Sequence, residues 1–213
     1  MRLGIIGAGH IGGNLARRGA LAGYDVAVSF ARDQGKLAAL AEEIGGSAVM
    51  PDEAAKADLV VLSTPWDVID EALVLAGPLD GKIVIDTTNY FGGSLGVTQA
   101  RYNADRMPGA AYTKCFNTLT AGFQAAAATR TGADRAVQWI AGDDTAATDV
   151  VAGLVRDAGY VPVVLSGIDG CAAMESPRRP GAVYGEEYRE DDALDVVASL
   201  RALLDIPSTP AYT

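Results

Sequence analysis

The chain is poor in the residues that serve metal binding and nucleophilic chemistry. Its 213 residues include one histidine, His10, and two cysteines, Cys115 and Cys171. With no C-x-x-C pair and no histidine near either thiol, a metal site is not expected, and two free thiols of a reducing compartment are. A Ser-His-Asp constellation would have to recruit His10 itself. Basic residues are also in deficit: 17 Lys and Arg stand against 27 Asp and Glu, a net charge of −10. Nucleic acid and anionic membrane surfaces need a basic face, so neither is expected as a partner. No apolar run approaches the length of about 18 residues that spans a bilayer. Asn14, Arg17 and Arg18 interrupt the apolar amino terminus. That argues against a secretory leader and for a cytoplasmic protein.

The chain does have glycine, 25 residues of it, within an ordinary globular composition of 49% hydrophobic and 21% charged residues. The opening stretch, MRLGIIGAGHIG, is the most informative. Leu3 to Ile6 is a short apolar run that reads as a buried strand. Gly7, Gly9 and Gly12 follow in a G-x-G-x-x-G pattern, and Ile11, Leu15, Gly19 and Ala22 then recur at helical spacing. Each glycine meets a different demand: a tight turn at Gly7, backbone close to a pyrophosphate at Gly9, helix against sheet at Gly12. The helix start supplies unsatisfied N–H groups and the positive end of its dipole. The turn Gly7, Gly9, His10, Ile11 and Gly12 is therefore the expected dinucleotide-binding element. His10 lies beside the expected pyrophosphate, far from any hydride, so it reads as a ligand contact or plain surface.

Strands then alternate with helices. Strands are expected at 24–30, 48–50, 58–63, 82–86, 111–115, 137–141 and 161–165, with helices at 34–43, from Pro51, at 68–75 and at 145–158. This alternation predicts an α/β protein with a doubly wound, mostly parallel sheet, the Rossmann fold. Residues 87–96 read as a polar, glycine-rich loop. Residues 168–175 look helical, 191–204 read as a last helix and 207–213 as a loose tail. The expected organisation is a single domain, 1–213, with 166–213 as a short C-terminal helical extension. A homodimer is expected on the ground that the apolar last helix would otherwise be poorly covered.

Ligands of open α/β sheets gather beyond the carboxyl ends of the strands. The second strand ends Ser29-Phe30-Ala31-Arg32, with no acid until Asp33. A carboxylate there would favour the free ribose of NAD. Arg32 instead offers a fork for a 2′-phosphate, with Lys36 one helical turn on, so NADP is favoured. Asp33 reads as the N-cap of the next helix. Ser63, Thr64 and Pro65 form a turn fit to lie against a ribose or nicotinamide. Trp66 is either packing or a wall of the site, and Asn89 either holds ligand or shapes its loop.

These motifs add up to a resemblance. The chain resembles the coenzyme F420-dependent NADP oxidoreductases in the glycine turn, in Thr64-Pro65-Trp66 and in Asp86-Thr87-Thr88-Asn89. It also does so in Lys114-Cys115-Phe116-Asn117-Thr118 and in Ala141-Gly142-Asp143-Asp144. Members often carry a Ser-Arg pair after the second strand. Here Ala31 stands at the serine and Arg32 at the arginine. The resemblance implies an enzyme that passes hydride between NADP(H) and a flat acceptor, coenzyme F420 or another flavin-like ring. It implies that Arg32 and Lys36 hold the 2′-phosphate and that Ala141 lies near the nicotinamide carboxamide. The mechanism is then one of proximity and orientation, with no catalytic side chain. Trp66, Asn117 and Met174 are the candidate walls of the acceptor pocket. Two other functions stay open: an NADPH-dependent reductase of a ferric chelate, carbonyl or imine, and a non-catalytic NADP-sensing module.

Overall fold

The computed structural model describes residues 1–207, 209, 211 and 212. Eight strands form one sheet: β1 (Arg2–Ile6), β2 (Asp25–Ser29), β3 (Ser47–Ala48), β4 (Leu59–Leu62), β5 (Ile83–Asp86), β6 (Ala111–Cys115), β7 (Val137–Gly142) and β8 (Val161–Ser166). Their order is β3-β2-β1-β4-β5-β6-β7-β8. The chain leaves β1 toward one edge and resumes at β4 toward the other. The switch point, where a crevice opens in doubly wound sheets, therefore lies between β1 and β4.

Helices α1 (His10–Leu21), α2 (Gln34–Ile44), α6 (Ala121–Ala127) and α7 (Thr145–Asp157) cover one face. Beneath them lie Leu3, Ile5, Val28, Val61, Ile85, Cys115 and Ile140. The opposite face, with Ile6, Val60, Leu62, Val84 and Trp139, packs under α3 (Pro51–Ala54), α4 (Ile69–Ala76), α5 (Gln99–Ala104) and α8 (Glu190–Arg201). Strands buried on both faces read as unbroken apolar runs, which is why DLVVLS and GII announce themselves in the sequence.

The expected strands all form, within one or two residues of their predicted ends. Three features differ. β7 runs antiparallel to β6, and β8 follows it parallel. The connection 116–136 contains the seven-residue α6, about 10 Å of helix, and a 3₁₀ turn at Gly132–Asp134, too short to carry the chain back to the amino edge. Helices α5 and α6 were not expected. Each is one to two turns long, and its only sequence signal is the N-cap threonine, Thr98 or Thr120. Residues 168–175 hold just one 3₁₀ turn, Cys171–Met174.

The carboxyl-terminal region is also better anchored than expected. Ala193, Val196 and Val197 of α8 are buried in the chain's own core, while Leu194 on the same helix and Leu203 and Leu204 just after it stay exposed. Pro207 and Tyr212 of the expected loose tail are tied back. Tyr212 accepts the Arg189 backbone N–H at 3.0 Å, donates to Asp192, and lies under the Arg189 guanidinium. Pro207 accepts the Tyr188 hydroxyl. Ser208, Pro210 and Thr213 lie outside the described residues.

Candidate functional site

One hydrogen-bonded row crosses the sheet near the carboxyl ends of its parallel strands: Ser29, Ile6, Leu62, Asp86, Lys114 and Ala141. The turns that leave this row carry the expected site residues. In the glycine turn each glycine does a separate task. Gly7 sits at φ +105°, and a Cβ there would lie 2.5 Å from the Ser63 carbonyl. A Cβ on Gly12 would lie 2.1 Å from the Gly7 carbonyl oxygen. Gly9 has nothing within 4 Å of such an atom, so its face is open. It caps α1 with no side-chain hydrogen bond, and the first turn of α1 has no acid. The helix start is thus a bare, positively polarised cradle that fits a pyrophosphate. His10 is exposed and Ile11 half-buried beside it.

At the end of β2 the chain turns through Phe30 at φ +54°. Ala31 is half-buried, and its carbonyl accepts from Gln34. Asp33 is the N-cap of α2, its carboxylate 3.1 Å from the Lys36 N–H, and Lys36 Nζ is 4.0 Å from the other oxygen. The acid that complicates the sequence is therefore occupied. Arg32 is exposed and makes no hydrogen bond or ion pair among the described residues. It fits an absent 2′-phosphate.

After β4, Ser63 meets the Thr87 hydroxyl at 3.0 Å. Thr64 is 6% exposed, and its hydroxyl has no partner. Pro65 is exposed. Trp66 is half-buried between Tyr90, 5.1 Å between ring centroids, and Tyr102, 5.9 Å, with the Arg106 guanidinium 5.5 Å above its ring. Its main surroundings are packing. Tyr90 of the glycine-rich loop belongs to this stack, whereas Phe91 stands out in solvent, 71% exposed.

After β5 and β6, Asn89 and Asn117 pair. Asn89 Nδ2 donates to the Asn117 carbonyl at 2.9 Å, and Asn117 Nδ2 donates to Asn89 Oδ1 at 3.1 Å. Asn117 Nδ2 also donates to the Met174 carbonyl at 2.6 Å. The structure thus places Asn89, Asn117 and the Met174 carbonyl together, and two expectations need correction. The Met174 side chain is fully buried in the core, so only its carbonyl reaches the site. Ala141 is also fully buried, with its backbone in the ladder between Lys114 and Ser166, and offers a ligand no surface.

What the sequence reading missed is a charged cluster beneath these turns. Asp86 and Lys114 are both fully buried, 3.3 Å apart. Lys114 Nζ also donates to the Thr88 carbonyl at 2.8 Å. Asp86 accepts from the Thr88 N–H, Asn103 Nδ2 and the Tyr112 hydroxyl. Burial alone would raise the Asp86 carboxyl, but Lys114 and these three donors outweigh it and hold it below the usual carboxylate range. Burial, and then Asp86, push the Tyr112 phenol well up. The cluster fixes the turn 87–89. Its only sequence signal is a charge as the last or next-to-last residue of two apolar strands, Asp86 and Lys114. Both cysteines are free and buried, and burial raises both thiols.

Residues 2–90 match the family described as NADP oxidoreductase, coenzyme F420-dependent, which confirms the resemblance over that segment. A hypothetical protein from Sinorhizobium meliloti is similar over 90% of this chain and 97% of its own, at 29% identity and a TM-score of 0.78. A proposed F420-dependent NADP-reductase from Arthrobacter sp. FB24 aligns over 81% of this chain and 87% of its own, at 24% identity and a TM-score of 0.68. An imine reductase from Myxococcus stipitatus, in complex with NADP+, shares the fold at 21% identity and a TM-score of 0.63. That match covers 82% of this chain but 58% of the reductase. None of the curated proteins matches the chain. No helix among the described residues is long and apolar enough to cross a membrane.

Proposed function

With residues 2–90 matching the F420-dependent NADP oxidoreductases as premise, we propose that the crevice binds NADP(H) and hands hydride to a flat acceptor, coenzyme F420 or another flavin-like ring. The observation that carries the cofactor half is Arg32. An unpaired guanidinium stands at the end of β2, where a carboxylate would select NAD, and Asp33 is committed to capping α2. In this reading the N–H groups of the glycine turn receive the pyrophosphate, and Arg32 with Lys36 receives the 2′-phosphate. Ser63, Thr64, Pro65 and Asn89 flank the nicotinamide riboside. When bound, NADPH supplies the hydride. The chain's own residues bind, align and exclude water, since no imidazole other than the distant His10 is present.

The acceptor would lie beyond Asn89 and Asn117, flanked by Trp66 and Tyr90. NADPH oxidation, followed optically with a deazaflavin, FMN, FAD, ferric chelates and a cyclic imine offered in turn, tests this reading. Turnover with a tricyclic ring supports it. Turnover with an imine or a ferric chelate alone moves the protein to another reductase class, and NADPH binding without turnover on any acceptor makes it a sensing module. NADH preferred over NADPH removes the role of Arg32.

A further inference from the structure

The turn after β6 holds two polar atoms that have no partner among the described residues. Phe116 enters it at φ +58°, and Asn117 and Thr118 follow, 4% and 2% exposed. Both N–H bonds of the Asn117 amide are taken, one by Asn89 Oδ1 and one by the Met174 carbonyl. Both acceptors are oxygens, so the orientation of the amide is settled, and its Oδ1 has no donor. The neighbouring Thr118 hydroxyl has no partner either. The two carbonyls beside them are engaged: Asn89 donates to the Asn117 carbonyl, and the Gly185 N–H donates to the Thr118 carbonyl at 2.8 Å. Asn14 of α1 ties the same connection to the glycine helix through the Ala121 carbonyl. A buried polar group without a partner is costly; Gln138 and Thr64 share this state, and Asn117 with Thr118 is the pair that stands on adjacent residues of a turn at the carboxyl end of a strand.

We propose that Asn117 Oδ1 and Thr118 Oγ1 form a recognition pair for the amide edge of a ring ligand, an N–H beside a C=O. Asn117 Oδ1 accepts the N–H and the Thr118 hydroxyl donates to the C=O. The inference rests on the proposed cofactor site, because that edge occurs both on the nicotinamide carboxamide and on the lactam of a flavin-type pyrimidine ring. The segment 174–185 is seated on the turn by Met174 and Gly185, so on this proposal the ligand edge displaces that segment.

Thr118→Val tests the pair, because it deletes the hydroxyl and keeps the shape. The free variant should melt no lower than wild type, since it loses an unsatisfied group and no bond. Its affinity, measured by calorimetry with NADP+ and separately with riboflavin, should fall about tenfold for the ligand whose amide edge is held. A loss confined to NADP+, together with a wild-type preference for NADP+ over its 3-acetylpyridine analogue, assigns the pair to the cofactor. A loss confined to riboflavin assigns it to the acceptor. Unchanged affinity for both ligands overturns the proposal, whatever the melting temperature. A wild type that binds riboflavin but not NADP+ defeats the cofactor assignment and leaves the riboflavin comparison to decide the pair. A wild type that binds neither overturns both.

Discussion

At the glycine end of the crevice the chemistry on offer is backbone: open N–H groups at the start of α1 and a turn shaped by missing side chains. At the far end it is side chain: a reciprocal Asn89–Asn117 pair above a buried Asp86–Lys114 pair. The first arrangement is local, complete within residues 7–13. The second joins pairs of residues 28 apart in sequence, and through Met174 and Gly185 it draws in the carboxyl-terminal third. The contrast teaches that one end tolerates change in its surroundings and resists it at single glycines. The other distributes its geometry over many partners.

The sharpest way to break the far end is Lys114→Met. It leaves the Asp86 carboxylate buried without its cation, and stability should fall by about 3–5 kcal/mol. Urea unfolding measures it, and a loss below about 1 kcal/mol would show that Asn103 and Tyr112 suffice. The pH dependence follows in sign. The folded Asp86 carboxyl titrates below its unfolded value, so its stabilisation is present above about pH 4 and is lost as pH falls through the lower folded value. Asp86→Asn should therefore flatten the acid limb of the stability curve.

The glycine end should break in function instead. Gly9→Val adds atoms to open space at φ −77°, so the melting temperature should hold while NADP+ binding falls by more than about tenfold. Gly7→Val, by contrast, meets the Ser63 carbonyl at positive φ and should unfold the turn itself. A Gly9 variant with unchanged affinity would take the pyrophosphate away from this cradle. Next in size, Arg32→Ala should cost about 1.5–3 kcal/mol of NADP+ affinity, and NAD+ affinity should barely move. Paired titrations with the two cofactors decide it.

The smallest effect sharpens the boundary between the two ends. A methyl on Gly92 would fall 2.1 Å from the Tyr90 hydroxyl and push that ring from Trp66, while one on Gly93 meets nothing. Gly92→Ala should slow acceptor reduction a few-fold at unchanged NADP+ affinity, and Gly93→Ala should be silent. A matched loss of NADP+ binding in Gly92→Ala would assign this loop to the cofactor.

The same contrast decided what could be read from the sequence. Gly7, Gly9 and Gly12 are legible because a missing side chain imposes its spacing along the chain. Arg32 is legible because it follows the end of β2 with no acid between them. The strands are legible because burial on both faces excludes polar residues. Asp86 with Lys114, and Thr118 with its missing partner, are not. A buried polar residue reveals its meaning only when its partners, or their absence, are known, and strand order supplies them. Ala141 and Met174 show the converse error. Both stand near the right turns, yet a resemblance carries no information on which way a side chain points, and both point into the core.

The reversal of β7 also sets an order of assembly. A chain made from its amino terminus has all of the glycine cradle, Arg32 and the first five strands of the parallel sheet once residue 86 is free, and β6 follows by 115. The far end must wait for Met174 and Gly185, because β7 and β8 lead away from the crevice and the chain has to return to it. During synthesis the glycine half can therefore close, and on the proposed reading engage cofactor, while the half that carries Asn117 is still open. Bound cofactor would hold the growing chain in the folded register through mass action before its last hundred residues have arrived.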